Sequence, residues 1–333
     1  MAQFDFSGTD GLWQAHDQLR AGMEVPDAQW KRLSATPGYA ALTASEFPRE
    51  AFVRRWVAAF GPGEQAQAAR AEYEAKGDPY LAHYLEVSRR RDELGCFQDE
   101  LARRAGETMR LADARAREFL PAGPEYPDTT GAAFVIFGPD ARGYVPVVID
   151  LLFAMTLGDR LWLLLAHEAH HQMVAAARGT RIGQAGYARD DLEWVVDQIH
   201  LEGVADMVSS DPARPGPMFD LAELATVPAY LAELDRGLSE VLREPAKRAE
   251  VGARLRAGLR LAGHPAGYYI AETISRTLGH DTLAASALDP AEFFAAYRRA
   301  ADRAAGERTD RGRSPGLSAD ALAMVRVLGG ETR

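Results

Sequence analysis

Leu161-Trp-Leu-Leu-Leu-Ala-His167-Glu168-Ala-His170-His171-Gln172 is the stretch on which the reading of this chain turns. Its first half is almost continuously apolar, which predicts a helix buried on most sides. Asp159 suits the N-cap and Gly179 the residue just past the C-terminus. On such a helix His167 and His171, four apart, lie one above the other on the same face. Two imidazoles stacked in this way can grip one metal ion, and the segment fits the pattern H-E-x-x-H. Glu168 sits about 100° round the helix. There it reaches a water beside the metal without being a ligand. His170 lies about 60° from His167, where a structural hydrogen bond or a contact with a neighbouring carboxylate accounts for it.

A catalytic zinc site needs a third protein ligand and one open position. Glu202, in His200-Leu-Glu202-Gly203-Val-Ala-Asp206, is the candidate. It shares a helical stripe with Val195 and Ile199, and an ionised carboxylate on an apolar face is costly unless it is paired or bound to metal. Gly203 beside it would let another helix approach closely. Asp206, one turn on, could accept a hydrogen bond from the free ring nitrogen of a ligating histidine and fix its tautomer.

HEAHH followed by EGVAD resembles the gluzincin class of zinc metallopeptidases, to which thermolysin and the M1-type aminopeptidases belong. Within that class it is most similar to bacterial zinc-dependent peptidases with an H-E-x-H-H core. The resemblance covers residues 130–300, most specifically 160–206. It implies one zinc ion per chain on His167, His171 and Glu202, with Glu168 as general base and a peptide or protein as substrate. The spacing from His171 to Glu202 is longer than in thermolysin, and the Gly-x-Met-Glu-Asn signature of the aminopeptidases is missing. Peptide hydrolysis also needs a group to stabilise the oxyanion. Tyr268 and Tyr269 are the candidates. Tyr268 shares a stripe with Glu272 and Arg276, whereas Tyr269 reads as a core residue. His264 and His280, at the two ends of the same helix, are further candidates.

Around this site the pattern predicts an α+β protein that is predominantly α-helical, with a small β-hairpin or sheet packed against the zincin-like helix. Residues 1–125 read as a helical lobe, 126–302 as the catalytic domain, and 303–333 as a polar linker with a short last helix. Helical signals cover Glu64–Lys76, Pro79–Arg91 and Asp92–Leu120, and return from about Asp190 to Ser209, from His264 to Gly279 and from Asp289 onward. Ala133–Phe137 and Tyr144–Ile149 read as two strands of a hairpin, the second at an edge because Pro146 cannot donate to a ladder.

The chain has 333 residues, 47% of them apolar and 26% charged, which excludes wholesale disorder. A net charge of −10 argues against a nucleic-acid or anionic-membrane binder. Only three residues are lysine beside abundant arginine, as in GC-rich bacterial genomes. Cys96 is the only cysteine, so no internal disulfide forms. The absence of an N-terminal leader pattern or a long apolar span points to a soluble, cytoplasmic protein; oligomeric state is not legible. Two other functions fit the residues. Glu168-x-x-His171 is half of a di-iron bundle motif, with Asp197-x-x-His200 as an imperfect second copy. A peptidase-like fold kept for binding alone is the other, which intact Glu168 disfavours.

Overall fold

A computed structural model describes residues 3–129, 131–179, 190–213, 215–306 and 316–330. They form a predominantly helical α+β structure with four strands in one sheet. No helix among these residues is long and apolar enough to cross a membrane. The chain divides into two compact units. The first is built from the described residues up to Ala112 and from Asp128 to Gln172; the second from Asp113 to Pro127 and from Met173 onward.

The first unit carries the strands β1 (Gln3–Asp5), β2 (Gly131–Val135), β3 (Ala141–Arg142) and β4 (Val147–Asp150). Its helices are α1 (Ser7–Arg20), α2 (Asp27–Ser34), α3 (Pro37–Ser45), α4 (Arg49–Phe60), α5 (Gly63–Ala75), α6 (Pro79–Arg89), most of α7 (Arg91–Glu118), α8 (Leu151–Leu157) and the first part of α9 (Leu161–Ala177). The strand order is β1-β2-β4-β3. β1 pairs with β2 and β2 with β4 in parallel, while β3 runs antiparallel to β4.

The two expected strands are therefore neighbours but not a hairpin. Ala141-Arg142, inside the expected loop, takes the antiparallel place beside Val148 and Ile149. β4 is consequently an interior strand, and Pro146 precedes it rather than sitting in its ladder. β2 is buried at every position, which is the pattern of a parallel strand covered on both faces. β1 has no counterpart in the sequence reading.

Glycines let helices settle onto this sheet. A Cβ at Gly8 of α1 would lie 2.7 Å from Val135 Cγ1, and one at Gly38 of α3 would lie 2.6 Å from the same atom. Side chains then satisfy the backbone at the end of β2. Thr9 Oγ1 donates to the Phe134 carbonyl at 2.8 Å, and Tyr39 OH donates to the Ile136 carbonyl at 3.0 Å. Fully buried Asp150 caps α8 by accepting from Phe153 N, while its other oxygen accepts from Phe137 N, Gly138 N and His83 Nε2. A buried carboxylate survives only when its lone pairs are used in this way.

The second unit contains α10 (Asp191–Ser209), α11 (Val227–Arg243), α12 (Arg248–Gly258), α13 (His264–Leu278), α14 (His280–Ala285), α15 (Pro290–Gly306) and α16 (Ala319–Gly330). Asp190 caps α10, its carboxylate accepting from Leu192 N and Glu193 N. Pro265 occupies the first turn of α13, and Gly279 ends it with φ 94°. α15 runs on to Gly306, so the start of the stretch expected as a polar linker from residue 303 is helical; residues 307–315 lie outside the described residues.

α10 and α13 meet backbone to backbone. A Cβ at Gly203 would lie 2.5 Å from the carbonyl oxygen of Gly267 and 2.8 Å from its Cα. Gly203 thus does what its place beside Glu202 implied, and the helix that comes close is α13.

Candidate metal centre

α9 begins at Leu161, two residues after Asp159, because α8 and a short turn from Gly158 (φ 53°) to Arg160 intervene. The expected N-cap is therefore a solvent-facing turn residue. Gly179, with φ 68°, follows the helix as expected. The leucine-rich start of α9 is buried. This burial carries His167, Glu168 and His170 out of solvent with it, while His171 is half-buried.

His167 Nε2 and His171 Nε2 face each other at 3.0 Å, with ring centroids 4.7 Å apart. Two nitrogens bound to one tetrahedral zinc at ordinary bond lengths would lie about 3.3 Å apart. The pair therefore fits a single ion without leaving its helix. Glu168, the next residue along, is a buried carboxylate. His170 is fully buried, with its ring 6.5 Å from that of His171.

In the second unit Glu202 and Asp206 sit one turn apart on α10, and His264 at the start of α13 faces both. His264 Nδ1 lies 3.1 Å from each Asp206 carboxylate oxygen and 3.5 Å from Glu202 Oε2. Asp206 is deeply buried and His264 about a third exposed. With carboxylate oxygens on that side of the ring, Nδ1 carries the proton and donates it to Asp206.

Over residues 30–306 the sequence matches a family described as "Putative zinc dependent peptidase (DUF5700)". The chain belongs to that family. No curated protein and no solved structure matches it. Membership bears out the resemblance to zinc-dependent peptidases drawn from HEAHH and EGVAD.

The other residues singled out in the sequence lie in the second unit. Tyr268 is buried edge-on against Phe219, with ring centroids 5.9 Å apart, and Tyr269 is half-buried. This is the reverse of the expected order, in which Tyr269 was the core residue. His280 Nε2 donates to the Glu118 carbonyl at 2.7 Å.

The imperfect second copy of the di-iron motif is occupied by an arginine. Arg178 donates to His200 Nδ1 at 2.9 Å and approaches Asp197 Oδ1 at 3.5 Å, while His200 Nε2 donates to the Ser286 carbonyl at 3.0 Å. Both nitrogens of His200 are thus committed to hydrogen bonds. Burial pushes the Asp197 carboxyl up to about 6, against the pull of Arg178.

Sequence reasoning undervalued His264. Its hydrogen-bond partner Asp206 is 58 positions away on another helix, and the local mark of its importance is its place beside Pro265 in the first turn.

Proposed function

We propose that this chain is a gluzincin-type zinc peptidase in which His167, His171 and Glu202 hold one zinc ion. The observation that carries the reading is the convergence of His167 Nε2 and His171 Nε2 on one side of α9. Family membership and the buried carboxylate of Glu168 support it. A zinc ion held there would polarise the scissile carbonyl and ease deprotonation of a water molecule. Glu168 would take the proton from the attacking water and pass it to the leaving amine. His171 is the more exposed of the pair, so the substrate would approach from its side. The substrate class is a peptide or protein.

Metal analysis of the purified full chain tests the first half. About one zinc per chain is expected, falling to background in His167→Ala and His171→Ala. Two irons with an oxo-iron absorption band would replace this reading with a di-iron protein. A peptide-library digest tests the second half: cleavage should appear with zinc and vanish with a chelator.

A further inference from the structure

The chain enters α13 through a left-handed turn. Leu261 has φ 42° and Ala262 φ 50°, and Gly263 follows with φ 104°. Two successive residues with side chains in this region are strained, and such strain persists only where the surroundings impose it. The Leu261 side chain is about half exposed, so its own packing does not explain the conformation. The constraint comes from the other end of the turn. A Cβ at Gly263 would lie 3.1 Å from the Gln198 carbonyl carbon and 3.2 Å from Ile199 N. The turn is therefore pressed onto the backbone of α10. Four residues on, Gly267 meets Gly203, again backbone to backbone. His264 sits between these two contacts and is fixed from both sides.

We propose that His264 is a positioning residue for Glu202. This rests on the reading of Glu202 as a zinc ligand. The strained turn and the glycine crossing hold the imidazole so that Nδ1 donates its proton to Asp206 and itself lies 3.5 Å from Glu202 Oε2. The positive end of that N–H faces Glu202 Oε2 from a distance too long for a second hydrogen bond, and its electrostatic pull favours one orientation of the Glu202 carboxylate before the ion binds. Groups that orient a ligand in this way typically change metal affinity by about 10–100-fold when removed. Asp206 completes the arrangement by fixing the histidine tautomer from its buried position.

The test measures zinc affinity of the full chain by competition with a chromophoric chelator, beside thermal unfolding of the zinc-free proteins. His264→Ala should weaken zinc binding about 10–100-fold. His264→Asn places an amide N–H near the position of Nδ1 and should restore affinity to within about 3-fold of the parent, because a donor at that point is all the role requires. His264→Ala takes a donor from the buried Asp206 carboxylate and should unfold at a lower temperature than the parent when zinc-free, yet remain folded at the temperature of the binding assay, whereas His264→Asn should unfold close to the parent. If His264→Ala binds zinc as tightly as the parent while His167→Ala does not, the inference is wrong and the zinc reading stands. If His264→Asn is as weak as His264→Ala although both are folded, the donor role is wrong. A parent chain that binds zinc no better than His167→Ala would sink the zinc reading, and this inference with it.

Discussion

Glu168 and Glu202 are both carboxylates of the proposed zinc chemistry, yet one is assigned as base and the other as ligand. Glu168 follows His167 on α9 and is buried, and its place on the helix differs from that of the histidine pair by about a third of a turn. Glu168→Gln should therefore keep its zinc at parent stoichiometry while hydrolysis drops by about 10²–10⁴-fold, the scale of a lost general base. Loss of zinc in that variant would make Glu168 a ligand instead. Asp197 offers a separate test by pH. Its carboxyl is raised from 3.8 to about 6 in the fold, so the native chain keeps a proton that the unfolded chain has released. Stability from this group is fully present below about pH 4 and is lost as pH rises toward 6. Asp197→Asn should gain on the parent in urea midpoint when measured at pH 7 relative to pH 4.5; a constant difference would remove Asp197 from the account. At this scale the site was half legible. H-E-x-x-H announces itself because its chemistry lies within one turn of helix. The contact of His264 with Asp206 spans 58 positions, and no local pattern encodes it.

Helices were readable where their ends carry side-chain or backbone signals. Asp78 and Asp190 cap α6 and α10 through their own carboxylates, and Gly279 closes α13. The sheet was harder to read. Ala-Ala-Phe-Val is apolar without alternation, so it shows that β2 is covered on both faces but not which strands lie beside it. A two-residue strand such as β3 is too short for any periodicity. The crossing of α10 and α13 gives a prediction that belongs to the elements alone. Gly203→Ala puts a methyl against the Gly267 backbone, which cannot yield as a side chain would. The cost should be at least about 1–3 kcal/mol, seen as a lower thermal midpoint of the zinc-free chain. Gly95→Ala in α7 is the contrast, since nothing lies within 4 Å of the added carbon. It should raise stability by about 0.5–1 kcal/mol, because alanine loses less backbone freedom in a helix. Equal effects from the two substitutions would mean that the helix crossing is looser than described.

For the molecule as a whole, zinc should act as a stabilising ligand. An ion bound by the folded chain and not by the unfolded one raises stability with its free concentration, by about 4 kcal/mol at a thousand times the dissociation constant. Chelation should lower the thermal midpoint, returning zinc should restore it, and His167→Ala should show neither change. β1 sets a different demand on the molecule. Phe4 and Phe6 pack on Phe134, with ring centroids 4.9 and 5.0 Å apart, and Thr9 bonds the carbonyl of that same phenylalanine across 125 positions. During translation the first strand leaves the ribosome long before its neighbour exists. At about 5–20 residues per second the wait is roughly 6–25 s. Through that interval two phenylalanines and an unpaired strand edge are open to whatever else is nearby. The sheet can close only after β2 has been synthesised, which makes the tempo of synthesis and the company of chaperones part of how this fold is reached.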